Sequence, residues 1–346
     1  MTQKEIADQL NISRSTVARA FNGGRINEKT KKLILDFAYK NGYKPNNLAQ
    51  TLVRKNNISI YVFLVDSISP TYVKDIIKGI KVSEKKFSDY KFKINIIQMR
   101  ASKEKDSEKQ YKEILKVLET ESPNGLIVSF IDDTYIQNIS NLCKSKKIPL
   151  ITLDTINYEK EKNCHIGPDY IQMGSLTADF IITGLREKGK ILILNFEDSC
   201  NINKMRVKGF LSFSKNFKDI KIDFINLSSL TQKDFNKALS SCDILEYDCI
   251  YSSFKSENIV TYLESKKIDK KYFLIANDLN EDIQNLLYKR KISGIIYQRP
   301  FYQGIISIET IFNYLIKKIP IPDKINIGID ILLKENLSIG LYYDFK

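Results

Sequence analysis

From residue 58 to the end, short apolar runs alternate with longer amphipathic stretches, and few architectures accommodate that rhythm. The runs cover 58–65, 92–98, 125–130, 149–154, 190–196, 221–227, 249–253, 272–278 and 294–298. Between them lie stretches of helical period, among them 72–87, 106–121, 136–146, 171–186, 204–217, 255–265 and 303–317. A strand apolar on both faces must be covered on both, and an intervening helix carries the chain back for parallel pairing. Nine or more such strands predict an α/β fold with two parallel sheets flanked by helices. No G-x-G-x-x-G or Walker sequence occurs, so nothing points to a nucleotide loop.

Ligands of open α/β sheets sit outside the carboxyl ends of the strands. The polar residues at those ends are Ser67 and Ser69 with Tyr72 just beyond, Ser129 and Asp132, Asp154, Ser252 and Ser253, Asn277 and Asp278, and Gln298 and Arg299. Arg206 opens a helix after the loop at 199–203. Carboxylates, amides and arginine beside an aromatic ring suit a polyhydroxylated ligand, because each hydroxyl needs a partner and the sugar ring needs a flat apolar face. Taken singly, each of these residues serves equally well as a helix cap or a solvated loop.

The first 57 residues follow a different pattern. Thr2-Gln3-Lys4-Glu5 is a capping box that opens a helix burying Ile6, Ala7 and Leu10. Asn11 tolerates the left-handed conformation of a tight turn. Ser13 caps a second helix with Val17, Ala20 and Phe21 inward, and Gly23-Gly24 breaks it. Asn27 caps a third, with Leu33, Ile34, Phe37 and Ala38 on one face and Gly42 at its end. Helix, short turn, helix is the pattern of a helix-turn-helix, whose second helix lies in the DNA major groove. With Ile12, Val17 and Phe21 inward, Arg14, Ser15, Ala18 and Arg19 face out. Each arginine can pair bidentately with a guanine, and Ser13, Thr16 and Asn22 are placed to hold phosphates. Charge supports this: the formal net charge is +13, and residues 1–57 carry eleven Lys/Arg against four acids.

The run Thr2-Gln3-Lys4-Glu5-Ile6-Ala7, then Asn11-Ile12-Ser13-Arg14-Ser15-Thr16-Val17-Ala18-Arg19-Ala20-Phe21-Asn22, resembles the headpiece of the lactose/galactose-repressor family. Asn27-Glu28-Lys29-Thr30 and Gly42-Tyr43-Lys44-Pro45 through Leu52 continue the likeness over about 55 residues. Asn11 stands where a turn glycine is usual, and Ala18 where serine is common. The resemblance implies a hinge helix from Asn46 to about Arg54, folding on specific DNA, with Asn46 and Ala49 at the interface and Leu52 as a minor-groove wedge. A helix that short is not stable alone, and an apolar wedge kinks a base step.

The likeness extends more loosely to the rest. Ser69-Pro70-Thr71-Tyr72, Ile148 to Asp154, Asp169-Tyr170 with Gly174, Arg206 to Phe210, Asn277-Asp278 and Gln298 to Gly304 resemble the type I periplasmic sugar-binding fold that forms the sensor of such repressors. That resemblance implies ligand contacts at Ser69, Tyr72, Asp154, Arg206, Ser252, Asp278 and Gln298. Ser252 stands where asparagine is usual, and Arg299 where aspartate or an apolar residue is usual. The expected organisation is a headpiece at 1–45, a hinge at 46–57 and a ligand-sensing domain at 58–346. Its first lobe is expected at about 58–155 and 299–327, its second at about 156–298 and 328–346.

The expected function is therefore a ligand-responsive DNA-binding regulator, a homodimer on a pseudo-palindromic operator, with a sugar-like effector. The expected ligand contacts are the seven implied by the resemblance together with Ser129 and Arg299. Five irregularly spaced cysteines without C-x-x-C and a single histidine, His165, give no basis for a disulfide framework, a metal site or a histidine-based catalytic system. No cofactor, catalytic residue or membrane association is expected. The polar start MTQKEIADQL does not read as a secretory signal, which points to the cytoplasm, and the end carries no heptad extension for a coiled-coil tetramer. A solute-binding protein and a sugar-related α/β enzyme are the rival readings. The first lacks a signal sequence, and the second a phosphate loop or an acid/base pair.

Overall fold

The computed structural model describes residues 3–22, 26–42, 57–66, 70–100, 106–154, 164–197 and 202–338. The chain divides into two compact units, Met1–Asn57 with Phe87–Phe92, and Ile58–Lys86 with Lys93–Lys346.

Among its described residues the smaller unit holds three α-helices, α1 (Gln3–Gln9), α2 (Arg14–Asn22) and α3 (Glu28–Lys40). Asn11 turns the chain between the first two at φ +53°, in the left-handed region that an asparagine enters at small cost. Thr16 NH donates to Ser13 Oγ at 3.1 Å, capping α2, and Asn27 accepts from Lys29 NH at 2.9 Å to cap α3. Ile6, Ala7, Val17, Ala20, Ile34 and Ala38 form the core, with Leu10, Ile12, Phe21 and Phe37 packed around it. Leu33 departs from expectation: it is 55% exposed, because the inward stripe of α3 runs through Ile34 and Ala38. Thr2 of the expected capping box lies outside the described residues.

The larger unit contains two lobes. The first is built on a six-stranded sheet of β1 (Ile58–Asp66), β2 (Phe92–Arg100), β3 (Gly125–Val128), β4 (Leu150–Leu153), β5 (Cys164–Gly167) and β11 (Lys324–Asn326). They lie in the order β11-β5-β4-β3-β1-β2, with parallel pairing from β11 through β1. Its faces are covered by α4 (Pro70–Lys86), α5 (Asp106–Thr120), α6 (Ile136–Lys146) and α12 (Pro300–Lys317). Phe63, Ile114, Leu126, Val128 and Ile139 are buried together, each side chain contributing about 1.5–3 kcal/mol of burial.

The second lobe has β6 (Gly189–Asn195), β7 (Ile220–Asn226), β8 (Cys249–Ser252), β9 (Ile275–Asn277), β10 (Gly294–Tyr297) and β12 (Asp330–Leu332). Its helices are α7 (Tyr170–Gly184), α8 (Ile202–Ser214), α9 (Gln232–Ser240), α10 (Glu257–Ser265), α11 (Glu281–Tyr288) and α13 (Lys334–Ser338). The strands form two three-stranded pieces, β7-β6-β8 and β12-β10-β9, joined by a parallel bridge between Cys249 and Phe273. This differs from one parallel sheet in two respects. The bridge from β8 reaches Phe273, two residues before β9 begins, and β12 pairs antiparallel with β10. A strand arriving from the first lobe through three residues has no helix to carry it around. It enters at the carboxyl edge and runs backwards.

The chain crosses between lobes after β5, between β10 and α12 at 298–299, and between β11 and β12 at 327–329. The first crossing lies beyond the expected one near residue 155, because β5 pairs with β4 and β11 in the first sheet. Cys164-His165-Ile166-Gly167 is too short and mixed to announce a strand in the sequence. Among the described residues no helix is long and apolar enough to cross a membrane.

Candidate functional site

The carboxyl ends of both sheets face the cleft between the lobes. Asp154 follows β4 and Asp278 follows β9, both with φ in the left-handed region, at +57° and +63°. Aspartate, like Asn11, enters this region at small cost. Tyr170, first residue of α7, donates its hydroxyl to Asp154 Oδ1. Gln298 Nε2 donates to Asp278 Oδ1 at 2.5 Å. Tyr72 on α4 is buried beside both carboxylates, and its hydroxyl accepts from Gln303 Nε2 at 2.7 Å. Gln303 also donates to the Gln298 carbonyl at 3.0 Å, so one amide of α12 ties the second crossing to Tyr72.

Arg206 supplies the cation of the site. It is 2% exposed, lies 5.4 Å from the Tyr170 ring centroid and 5.5 Å from that of Phe254, and donates to the Ser253 carbonyl at 3.4 Å. Its position follows from how closely α7 and α8 approach. A Cβ on Gly174 would fall 1.8 Å from the Arg206 carbonyl oxygen, and one on Gly209 would fall 1.9 Å from that of Ile171. Only glycine at these two positions allows the backbones to touch and sets the buried arginine beside the carboxylates of the cleft.

The electrostatics follow from burial. Burial pushes the Asp154 carboxyl up, against the pull of Tyr170, Arg206 and Tyr72. Burial also pushes Asp278 up, to about 6, with Arg206 and Gln298 opposing and Asp154 adding to the rise. Tyr72 and Tyr170 are raised well above the ordinary phenol value by burial and then by Asp154, so both stay neutral donors. Among the described residues four buried side-chain atoms make no hydrogen bond: Arg206 Nε, Asn277 Oδ1, Gln298 Oε1 and Gln303 Oε1. Buried polar atoms are nearly always satisfied. A group of them around two carboxylates and a guanidinium fits a ligand that brings its own donors and acceptors.

Of the residues expected from the sequence, Tyr72, Asp154, Arg206, Asp278 and Gln298 come together. Ser252 turns inward: its Oγ donates to the Phe254 carbonyl at 2.8 Å and shapes its own loop. Ser129 is held by its backbone, with NH to Phe63 and carbonyl from Gln110 Nε2, both at 2.8 Å. Arg299 pairs away from the carboxylates of the cleft. Its Nε and NH2 clasp the two oxygens of Asp330 at 2.6 and 2.5 Å, and its guanidinium packs over Gly328, joining the second crossing to the third. Ser69, Asn46, Ala49 and Leu52 lie outside the described residues. On α2, Arg14, Ser15 and Arg19 are exposed, Ser13 Oγ bonds to Ser15 Oγ and Thr16 Oγ1 at 2.7 Å each, and Asn22 is the last helical residue. His165 is buried in the first lobe, 3.3 Å from Thr152 Oγ1, and burial and then Lys324 push it down to about 3.

Tyr170, Gln303, Phe254 and Asp330 were not expected. Tyr170 follows the unread strand β5, Gln303 is a buried amide inside a helix, and Asp330 opens an unread strand. The resemblance covers Asp169-Tyr170 and, within Gln298 to Gly304, Gln303, without assigning either to the ligand, and Phe254 and Asp330 carry no such signal.

A family model described as a periplasmic binding protein domain matches residues 60–319. The chain belongs to that family. The carboxyl-edge cleft of this periplasmic binding protein domain is thus where Tyr72, Asp154, Arg206, Asp278 and Gln298 meet. Two curated relatives are named HTH-type transcriptional regulator RegA. The one from Clostridium saccharobutylicum is 30% identical over 166 residues, 44% of this chain and 47% of the relative. The one from Clostridium acetobutylicum is 27% identical over 159 residues, 46% of this chain and 44% of the relative. The chain spans about half the length of the curated relatives it matches. Among solved structures, a periplasmic solute binding protein of an ABC transporter from Actinobacillus succinogenes with bound D-allose superposes with a TM-score of 0.71 at 20% identity. That match covers 81% of this chain and 99% of the other, and it is a likeness of fold.

Proposed function

We propose that this chain is a ligand-responsive, sequence-specific DNA-binding transcription regulator, a homodimer on a pseudo-palindromic operator, controlled by a neutral sugar or polyol. The observation that carries the DNA-binding half is α2. It buries Val17 and Ala20 and turns Arg14, Ser15 and Arg19 outward, on a unit with a large cationic excess. The Ser13 hydroxyl caps α2 and bonds the hydroxyls of Ser15 and Thr16, while the Arg14 side chain at the first helical position is exposed. The regulator names of the relatives support the same reading.

The ligand half rests on charge. Two carboxylates, Asp154 and Asp278, share one guanidinium, Arg206, while Arg299 is neutralised by Asp330. A uronate or sugar phosphate would add a negative charge to a cleft whose described residues already carry an excess of carboxylate. Hydroxyls suit it better, since each can donate to a carboxylate and accept from the arginine or an amide. A ligand touching Tyr72 and Asp154 on the first lobe and Arg206 and Asp278 on the second binds the closed arrangement better than an open one. That differential affinity is what a switch requires.

Two titrations test this. Fluorescence anisotropy of the full chain on mixed-sequence duplexes should give an affinity that falls steeply with salt, as several phosphate contacts release counterions. Absence of binding at low salt contradicts the DNA-binding reading. Calorimetry with neutral and acidic sugars should give heat only with neutral ones, and tight binding of a uronate contradicts the ligand reading.

A further inference from the structure

We propose that the cleft accepts an elongated ligand of at least two sugar units, with a second subsite on the second lobe beyond Phe254. This rests on the reading of the cleft as a neutral-sugar site and specifies the size of what it takes. The carboxyl rim of that lobe runs from Asp278 after β9, through Ser252–Phe254 after β8, to Asn195–Glu197 at the end of β6 and Asn226–Ser228 at the end of β7. The inner groups described above occupy only the first part of it.

Three observations extend the site outward. First, Asn203 and Arg206 lie one turn apart on the same face of α8 and both reach the rim. Arg206 serves the inner site. Asn203, 3% exposed, donates at 2.7 Å to both Asn195 Oδ1 and the Phe196 carbonyl. Asn195 Nδ2 in turn donates to Asn226 Oδ1 at 2.8 Å, so the exposed amide of Asn226 is tied through Asn195 to the buried Asn203. Second, the aromatic surface continues. Phe254, which carries Arg206 on one side, meets Phe196 edge to face at 6.3 Å and 88°. Third, a cavity of about 330 Å³ opens beyond Phe196, lined by Asn195, Phe196, Glu197, Asn226, Leu227 and Ser228.

That volume is at the lower end of small-ligand pockets and is right for a single ring. An aromatic ring, two amides, a hydroxyl and a carboxylate, with no lysine or arginine among the described lining residues, are again the chemistry of a neutral polyol. A monosaccharide held by Asp278 and Arg206 would leave this cavity unused. A second ring linked to it would pass over Phe254 and reach Asn226 and Glu197.

The test is calorimetry on the full chain with maltose, cellobiose, lactose, sucrose and trehalose, each against its component monosaccharides. At least one disaccharide is expected to bind about tenfold or more tightly than either component. Asn226→Ala and Glu197→Ala should each weaken that disaccharide about fivefold, the worth of one hydrogen bond, and leave monosaccharide affinity unchanged. A disaccharide that binds no better than its components, or is indifferent to both substitutions, overturns the second subsite. Binding of a uronate with none of these neutral sugars overturns instead the neutral-sugar reading beneath it.

Discussion

Replacing Asp278 with asparagine should make the ligand-free protein more stable at neutral pH while weakening its hold on ligand. The folded carboxyl titrates at about 6 against an ordinary 3.8, chiefly through burial. An acid whose folded value is raised binds its proton more tightly in the native state. Its contribution is fully present below 3.8 and is lost as pH rises towards 6, and ionisation then costs on the order of 3 kcal/mol. Asparagine keeps the shape and still accepts from Gln298 Nε2, but carries no charge to bury. The stability difference between variant and wild type should be near zero at pH 4, grow through pH 5 and 6, and level off at about 3 kcal/mol by pH 7. Urea unfolding followed by far-ultraviolet dichroism at each pH measures it, and contributions from other titrating groups cancel in the difference. Ligand affinity should drop by roughly tenfold or more, because a hydroxyl donating to a carboxylate loses its charged acceptor. A difference that does not change with pH, or a variant less stable than wild type at pH 7, would refute the reasoning.

Two further outcomes follow from the geometry. The Arg299–Asp330 clasp is about 42% and 32% exposed at its side chains, so a double-mutant cycle with alanine should return a coupling of only about 1 kcal/mol, and Arg299→Ala should leave the preference for neutral over acidic sugars intact. A variant that gains or loses acidic-sugar binding would place Arg299 in the cleft after all. Gly174→Ala forces a Cβ to within 1.8 Å of the Arg206 carbonyl oxygen, and should cost about 1–3 kcal/mol in thermal unfolding and weaken ligand binding along with it; a neutral substitution would show that α7 and α8 can part without displacing Arg206.

β1, β3, β4, β6, β8 and β10 were legible because each buries a run of apolar residues. β5, β11 and β12 were not, being three or four residues long with few apolar positions and no measurable period. The same brevity hid the first interlobe crossing. In the cleft, Asp154, Asp278 and Gln298 could be read because strand ends in an α/β sheet converge, and topology alone brings them together. The direction of Arg299 could not. It depends on Asp330, 31 residues further on, which reaches it only because two crossings run side by side. Leu33 was misplaced because α3 offers three apolar residues in succession, Leu33-Ile34-Leu35, and the buried one is chosen by contact with Ile6 and Val17.

The central claim is that one chain couples a DNA-reading unit to a sugar-reading cleft. It is tested most directly by selecting bound duplexes from a random-sequence library with the full chain, in the presence and absence of the neutral sugar that gives the largest calorimetric response. The account predicts enrichment of a pseudo-palindromic sequence whose recovery changes with the sugar and is lost in Arg14→Ala and Arg19→Ala variants that still bind the sugar. Recovery of no preferred sequence under either condition, with the sugar still bound, would contradict it.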